Sequence, residues 1–196
     1  NEASKLLIPA ALSKEEEELM KQMFLLTSKP VIYAANIAEN SLQTDPMQLP
    51  LVNDVIVYAE KENSEVLVIS ARVEEEIAQL NPEEKKLFLK ELGILESGLD
   101  RLVKRCYHLL GLISFLTAGP DEVRAWTIKN GVKAPQAAGR IHSDFERGFI
   151  RAEVVHYDTL MKLGSLSAAK EKGLVRSEGR EYIMKDGDVV LFRFNV

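Results

Sequence analysis

With 196 residues, 46% hydrophobic and 28% charged, the chain has the make-up of one folded domain or two small ones, which excludes a disordered or collagen-like polymer. Its net charge of −5 conceals a split: residues 1–122 carry 12 Lys and Arg against 21 Asp and Glu, while residues 123–196 carry 13 against 9. The reversal from −9 to +4 predicts two units with different partners, the second suited to an anion such as RNA. Apolar runs such as Val66 to Ile69 are a handful of residues long, so no membrane partner is expected. The lone Cys106 rules out an internal disulfide and a cysteine zinc cluster. His108, His142 and His156 are too scattered for a His-rich metal site, and no metal ligands are assigned. The opening Asn1-Glu2-Ala3-Ser4 lacks an initiator Met and a leader-like pattern, so the chain reads as a piece of a longer protein with no signal peptide. Residues 189–196 read as a strand running to the natural end.

Ser13 is a candidate N-cap followed by Glu15 to Glu18, where a helix dipole favours anions, and Leu19, Met20, Met23 and Phe24 continue at helical spacing. A helix over about 13–26 follows, stopped by Lys29-Pro30. Residues 31–35 form a continuous apolar run, the pattern of a strand covered on both faces. Leu51, Val55, Tyr58 and Ala59 make a helical stripe, and residues 66–69 a second buried strand. This strand–helix–strand order predicts a parallel pair with a crossover. Helices are predicted over 74–80, over 82–92 with Asn81 and Glu84 as a capping box, and over 98–110 with Cys106 on its buried stripe. From Ile113 the texture changes to short strands at 113–117, 123–128, 149–155, 182–183 and 189–194. Turn signals such as Lys185-Asp186-Gly187-Asp188 separate them. Helices are expected at 134–141 and at 157–162 or 167–172.

Each of the first two strands ends in a polar residue, Asn36 and Ser70. In parallel α/β sheets the ligand crevice lies at the carboxyl ends of strands. Asn36-Ile37-Ala38-Glu39 and Ser70-Ala71-Arg72 should therefore stand side by side at one rim. Taken as residues alone, Asn36 is a turn residue, Ser70 a helix N-cap ahead of Glu74, and Glu39 a solvated acid.

The pairing resembles the base-recognition loops of P-loop GTPases, which read Asn-Lys-x-Asp and Ser-Ala-Lys. A carboxylate at the Asp position accepts hydrogen bonds from N1–H and N2 of guanine, whereas adenine presents a lone pair at N1. Here the acid is Glu39, one methylene longer, and Ile37 replaces the Lys, which weakens guanine readout. Asn-x-x-Glu is the mark of the Obg-like ATPase (YchF) family among the TRAFAC P-loop GTPase-like proteins. The resemblance extends through Lys29-Pro30-Val31-Ile32-Tyr33-Ala34-Ala35-Asn36, Val123-Arg124-Ala125-Trp126-Thr127-Ile128 and Ala134-Pro135-Gln136-Ala137-Ala138-Gly139. It continues through Ile141-His142-Ser143-Asp144-Phe145-Glu146-Arg147-Gly148-Phe149-Ile150-Arg151-Ala152-Glu153-Val154, Asp186-Gly187-Asp188 and Phe192-Arg193-Phe194-Asn195-Val196.

The resemblance implies the C-terminal portion of such an ATPase. Residues 1–29 would end an inserted helical domain. Residues 30–111 would be the distal part of an α/β P-loop nucleotide domain, a parallel sheet with helices. Residues 112–196 would be an α+β, ubiquitin-like β-grasp (TGS) domain. Asn36 would bond the adenine edge and brace the loops, the Ile37 backbone would contact the adenine amino group, and Ser70 and Ala71 would close the base pocket. Glu39 matches the family's acid without needing to touch the base. The intact protein would use ATP and Mg²⁺, hydrolyse ATP, associate with the ribosome through rRNA or tRNA contacts of the TGS domain, and be cytoplasmic. No Gly-x-x-x-x-Gly-Lys-[Ser/Thr] loop occurs in the 196 residues, so this chain alone is expected to bind ATP poorly and not to hydrolyse it, with no catalytic residues of its own. Strand 31–35 is expected to keep an unpaired edge through which the fragment self-associates.

In the basic part, Arg124, Lys129, Lys133, Arg140, Arg147 and Arg151 interleave with Trp126, Phe145 and Phe149, a composition suited to RNA. His142-Ser143-Asp144 does not make a hydrolase triad, because consecutive side chains diverge and no nucleophile elbow is present. The competing reading is a non-enzymatic RNA- or ribosome-binding adaptor whose α/β half is scaffold. A synthetase-like TGS protein fits less well, because aminoacylation motifs are missing from the strand pair.

Overall fold

A computed structural model describes residues 13–26, 29–119 and 122–195. Its contacts divide the chain into two units, between Val103 and Lys104.

In the first unit, helix α1 (Lys14–Gln22) begins with the expected Ser13 N-cap, which the structure extends to a capping box: the Ser13 hydroxyl accepts from the Glu16 amide while the Glu16 carboxylate accepts from the Ser13 amide. It ends earlier than the stripe suggested, because Phe24 takes a left-handed φ of 51° that a helix cannot continue through. Strand β1 (Ile32–Asn36) leads through helix α2 (Pro50–Lys61) to strand β2 (Glu65–Ile69). The two strands are parallel, in register from Ile32 opposite Glu65 to Asn36 opposite Ile69. Pro50 starts α2 at the position where its missing N–H costs nothing. Helix α3 (Ala71–Ala78) follows β2 at once, starting three residues earlier than the apolar pattern indicated. Helix α4 (Pro82–Glu91) carries the Asn81–Glu84 capping box. Val73, Ile77 and Leu89 form a core against Leu42, Phe88, Leu92 and Ile94. Strand β1 is not covered on both faces as its composition implied. Its one strand partner among the described residues is β2, and Ala34 and Asn36 are exposed. Helix α5 (Gly98–Leu109) also departs from its expected burial. Cys106 is only half-buried, and Leu99, Val103 and the following Leu110 are exposed.

The second unit is a five-stranded mixed sheet. Strands β3 (Leu112–Ala118), β4 (Val123–Lys129), β5 (Phe149–His156), β6 (Arg176–Glu178) and β7 (Asp188–Phe194) lie in the order β4-β3-β7-β5-β6. Only β3 and β7 pair in parallel. Helices α6 (Ala134–Ile141) and α7 (Ser143–Arg147) belong to one side, where Phe115, Ile128, Phe149, Val154 and Phe192 pack with Ala134, Ala137 and Ala138. Those alanines let α6 sit close to the sheet. Helices α8 (Tyr157–Leu163) and α9 (Leu166–Glu171) supply a second core with Val155, Ala169 and Val189. Asp186-Gly187, just ahead of β7, is tied to β3: the Ser114 amide donates to Asp186 Oδ1 at 2.8 Å, and the Gly187 amide donates to the Ser114 carbonyl at 2.9 Å.

Two departures concern this unit. Residues 182–183 make no strand. Ile183 forms an isolated bridge to Lys133, flanked by Ala134 N–H to Tyr182 O and Met184 N–H to Val132 O. The edge strand β6 was not foreseen, because Arg-Ser-Glu carries no apolar alternation.

Candidate functional site

Parallel pairing brings the carboxyl ends of β1 and β2 to one rim. The Ile37 amide extends the ladder one step, donating to the Ile69 carbonyl at 2.8 Å. Asn36 then reaches across: its Oδ1 accepts from the Ala71 amide at 2.9 Å. Ala71 is the first residue of α3, so this amide is one of the donors a helix start leaves unsatisfied. The side chain of Asn36 thus performs the capping role that the bare sequence gave to Ser70. Ser70 occupies the N-cap position but makes no cap bond. It is 2% exposed, and its hydroxyl has no hydrogen-bond partner among the described residues. It lies beneath the rim rather than on it.

Asn36, Ile37, Ser70 and Ala71 are therefore brought together. Glu39 stands beside them, exposed, at the start of a 3₁₀ turn (Glu39–Ser41). It lines an open depression of about 570 Å³ with Ala38, Asn40, Leu42, Gln43, Arg72 and Leu92. Arg72 is exposed and paired to Glu76 at 3.5 Å.

Glu74 is the residue that sequence reasoning missed here. Its carboxylate accepts from the amides of Gly98 (2.6 Å) and Leu99 (3.0 Å), capping α5 from α3. A side chain at Gly98 would collide with Ile69 and Glu74, which explains that glycine. The Arg101 guanidinium donates to the Val68 carbonyl of β2 at 2.7 Å. Among the described residues no group of three His, Cys, Asp or Glu side chains is arranged to hold a metal ion.

The six cations singled out from the sequence have different local surroundings. Arg124 stacks on Trp126, 4.4 Å from the ring centroid. Lys129 donates to the Leu110 carbonyl, Lys133 pairs with Glu181, and Arg147 pairs with Asp144. Arg140 lines a depression with Lys129, Gln136 and Glu146. Trp126 and Phe145 pack against the core, so neither is a free stacking platform. His142 and His156 are helix caps, accepting through Nδ1 from the amides of Asp144 and Asp158.

Arg151 joins a cluster whose other members, Lys170, Arg193 and Glu153, the sequence pattern does not single out. On β7 Arg193 stands directly opposite Arg151. Glu153 accepts from Arg193 Nε at 2.9 Å and also meets Lys170 at 3.3 Å and Arg151 at 3.5 Å. Arg193 first, then Lys170, hold its carboxyl down at about 2.

Comparison with known proteins gives the class first. A GTP-binding protein of Pyrococcus horikoshii matches 98% of the chain with a TM-score of 0.57 at 19% identity, covering 54% of that structure, which shows a shared fold alone. The YchF GTPase structure of Schizosaccharomyces pombe matches 94% of the chain and 48% of that structure, with a TM-score of 0.77 and 35% identity. The fold is thus that of Obg-like GTP-binding proteins, represented by a parallel strand pair and a mixed sheet with helices.

The ribosome-binding ATPase YchF of Bacillus subtilis is 56% identical over 184 residues, and that of Escherichia coli O157:H7 45% over 185, each covering 94% of the chain. The chain spans about half the length of these curated relatives. Residues 112–195 match the family model YchF-GTPase_C, described as a protein of unknown function (DUF933). The chain belongs to the YchF family, of which it is a C-terminal portion.

Proposed function

We propose that the chain is the C-terminal part of a ribosome-associated Obg-like ATPase, and that Asn36, Ile37, Glu39 and Ala71 form its base-recognition rim, with Ser70 packed beneath them as support rather than as a direct contact. In this reading residues 1–29 end an inserted helical domain, 30–111 are the distal part of the nucleotide domain and 112–196 are a TGS module of ubiquitin-like β-grasp fold, in a cytoplasmic protein. The observation that carries the proposal is the hydrogen bond from the Ala71 amide to Asn36 Oδ1, which locks the two loops together and turns the amide's NH₂ into a donor for a purine edge. Ile37 offers an apolar contact for a base face. Glu39 takes the place of the guanine-reading Asp, which favours adenine. The phosphates, and the Mg²⁺ that would neutralise them, belong to a P-loop outside these 196 residues. Among the described residues no group of three His, Cys, Asp or Glu side chains is arranged to hold a metal ion.

Contact with rRNA or tRNA is assigned to the second unit. Support for the six cations is uneven: Lys129, Lys133, Arg147 and Arg124 are engaged locally, while Arg140 and Arg151 line open depressions.

The test is Asn36→Ala in the P-loop-bearing, full-length protein. ATP affinity should fall about tenfold, the loss of one base-specific donor, while co-sedimentation with ribosomes is unchanged. Unaltered ATP affinity would overturn the rim. The adaptor reading draws on the missing P-loop motif, and full-length protein that hydrolyses no ATP while sedimenting with ribosomes would favour it.

A further inference from the structure

The second unit carries an excess of positive charge that its own fold does not use. Arg151 and Arg193 are directly opposite each other on β5 and β7. Like charges in that arrangement repel. Lys170 reaches the same spot from α9, and Ser177 of β6 is the cross-strand neighbour of Glu153 on the other side. The recorded ion pairs of all three cations go to one carboxylate, Glu153, whose side chain is 15% exposed. The cluster therefore keeps a net charge of +2 around a single anchored anion. The cations themselves are half in solvent, at 54% for Arg151, 52% for Lys170 and 47% for Arg193. Exposed ion pairs of this kind contribute little, so Arg151 and Lys170 can leave Glu153 for a stronger anion at small cost. An open depression of about 370 Å³ lies among Arg151, Glu153, Lys170, Val175, Arg176 and Ser177. Arg176 is committed to Glu178, Tyr182 and Asp188 and serves as its wall.

We propose that Arg151, Lys170 and Arg193, gathered on Glu153, form a binding site for the phosphodiester backbone of RNA. Glu153 holds Arg193 by its Nε and keeps the other two cations aimed at one point, and the Ser177 hydroxyl supplies a neutral donor. Among the described residues no aromatic ring lines the depression, so the contact reads the backbone and not the bases. The choice of RNA over another polyanion rests on the ribosome-associated reading above.

The experiment measures binding of the chain to fluorescein-labelled single-stranded oligouridine by anisotropy across a salt series. Arg151→Ala with Lys170→Ala leaves the Arg193–Glu153 pair intact and so preserves the fold. Removing two phosphate contacts should lower the slope of log affinity against log salt by about 1.4. Between about 50 and 200 mM salt the wild-type chain should thus lose about sevenfold more affinity than the double variant. Glu153→Gln should act in the opposite direction, tightening binding and steepening the slope. Lys133→Ala with Arg147→Ala removes equal charge elsewhere on the same unit and should change the slope less.

Three results would each overturn the site: an unchanged slope in the Arg151/Lys170 variant, an equal loss in the Lys133/Arg147 variant, or competition by polyglutamate as effective as unlabelled RNA. Ribosome co-sedimentation is scored separately. Its absence, with the oligouridine pattern intact, would remove the ribosome reading and leave the site standing.

Discussion

Replacing Asn36 separates two jobs that one side chain performs. In the structure its Oδ1 accepts from the Ala71 amide at 2.9 Å, and the buried Ser70 hydroxyl does not substitute for it. Asn36→Ala leaves that helix-start donor without a protein partner. A lost cap or neutral hydrogen bond of this kind costs about 1 kcal/mol. Exchange of the Ala71 amide with solvent deuterium should then accelerate about fivefold, the ratio that follows from 1 kcal/mol. Asn36→Asp retains an acceptor at the same point and adds a negative charge at the start of α3, which the helix dipole stabilises by about 0.5 kcal/mol. Ala71 in this variant should exchange at the wild-type rate or slower. Both substitutions delete the NH₂ donor, so both should weaken purine binding in the P-loop-bearing protein. Exchange measured residue by residue by NMR distinguishes the cases. An Ala71 rate unchanged by Asn36→Ala, or raised equally by Asn36→Asp, would show that the loops are held together by something else.

Other outcomes follow from the packing of the second unit. A methyl group at Gly148 would collide with the Asn195 carbonyl oxygen, which is backbone and cannot step aside; Gly148→Ala should destabilise the unit by about 1–3 kcal/mol in urea unfolding, and an unshifted midpoint would contradict the close approach. Asp186→Ala removes the acceptor for the Ser114 amide and should cost about 1 kcal/mol, with Asp186→Asn restoring most of it; equal losses in both would count against the pairing. Glu153 has its carboxyl lowered from 4.5 to about 2, so its stabilisation is complete above about pH 4.5 and disappears as pH falls toward 2. The half-exposed partners limit this to about 1–2 kcal/mol, and Glu153→Gln should remove that part of the acid dependence; an identical acid profile in the variant would refute it.

The parts of the fold legible in the sequence were those written in a local code. Ser13 ahead of a run of glutamates and Asn81 with Glu84 announced helix starts, and two apolar runs separated by a helical stripe announced a parallel pair. The Asn36–Ala71 juxtaposition followed because parallel strands end on the same side. What was missed depends on distant partners. The short polar β6 is a strand because β5 offers it an edge, not because Arg-Ser-Glu prefers one. Burial of Ser70 is set by packing that no neighbouring residue encodes. Arg151, Lys170 and Arg193 are remote in the chain and meet only through the sheet and α9, so scanning for runs of basic residues selected Lys133 and Arg147, whose charges are answered locally.

The strand order of the second unit has a consequence for how it is made. Strand β7 is the last of the five in the chain, yet it lies at the centre, between β3 and β5. Until it arrives, β3 with β4 and β5 with β6 are two separate ribbons with no shared edge. Every bond joining them spans a long stretch of sequence, so assembly is slow and concerted. A polypeptide interrupted between Glu178 and Asp188 would display two open edges and an unfilled interior, a target for chaperones and proteases rather than a partly working module.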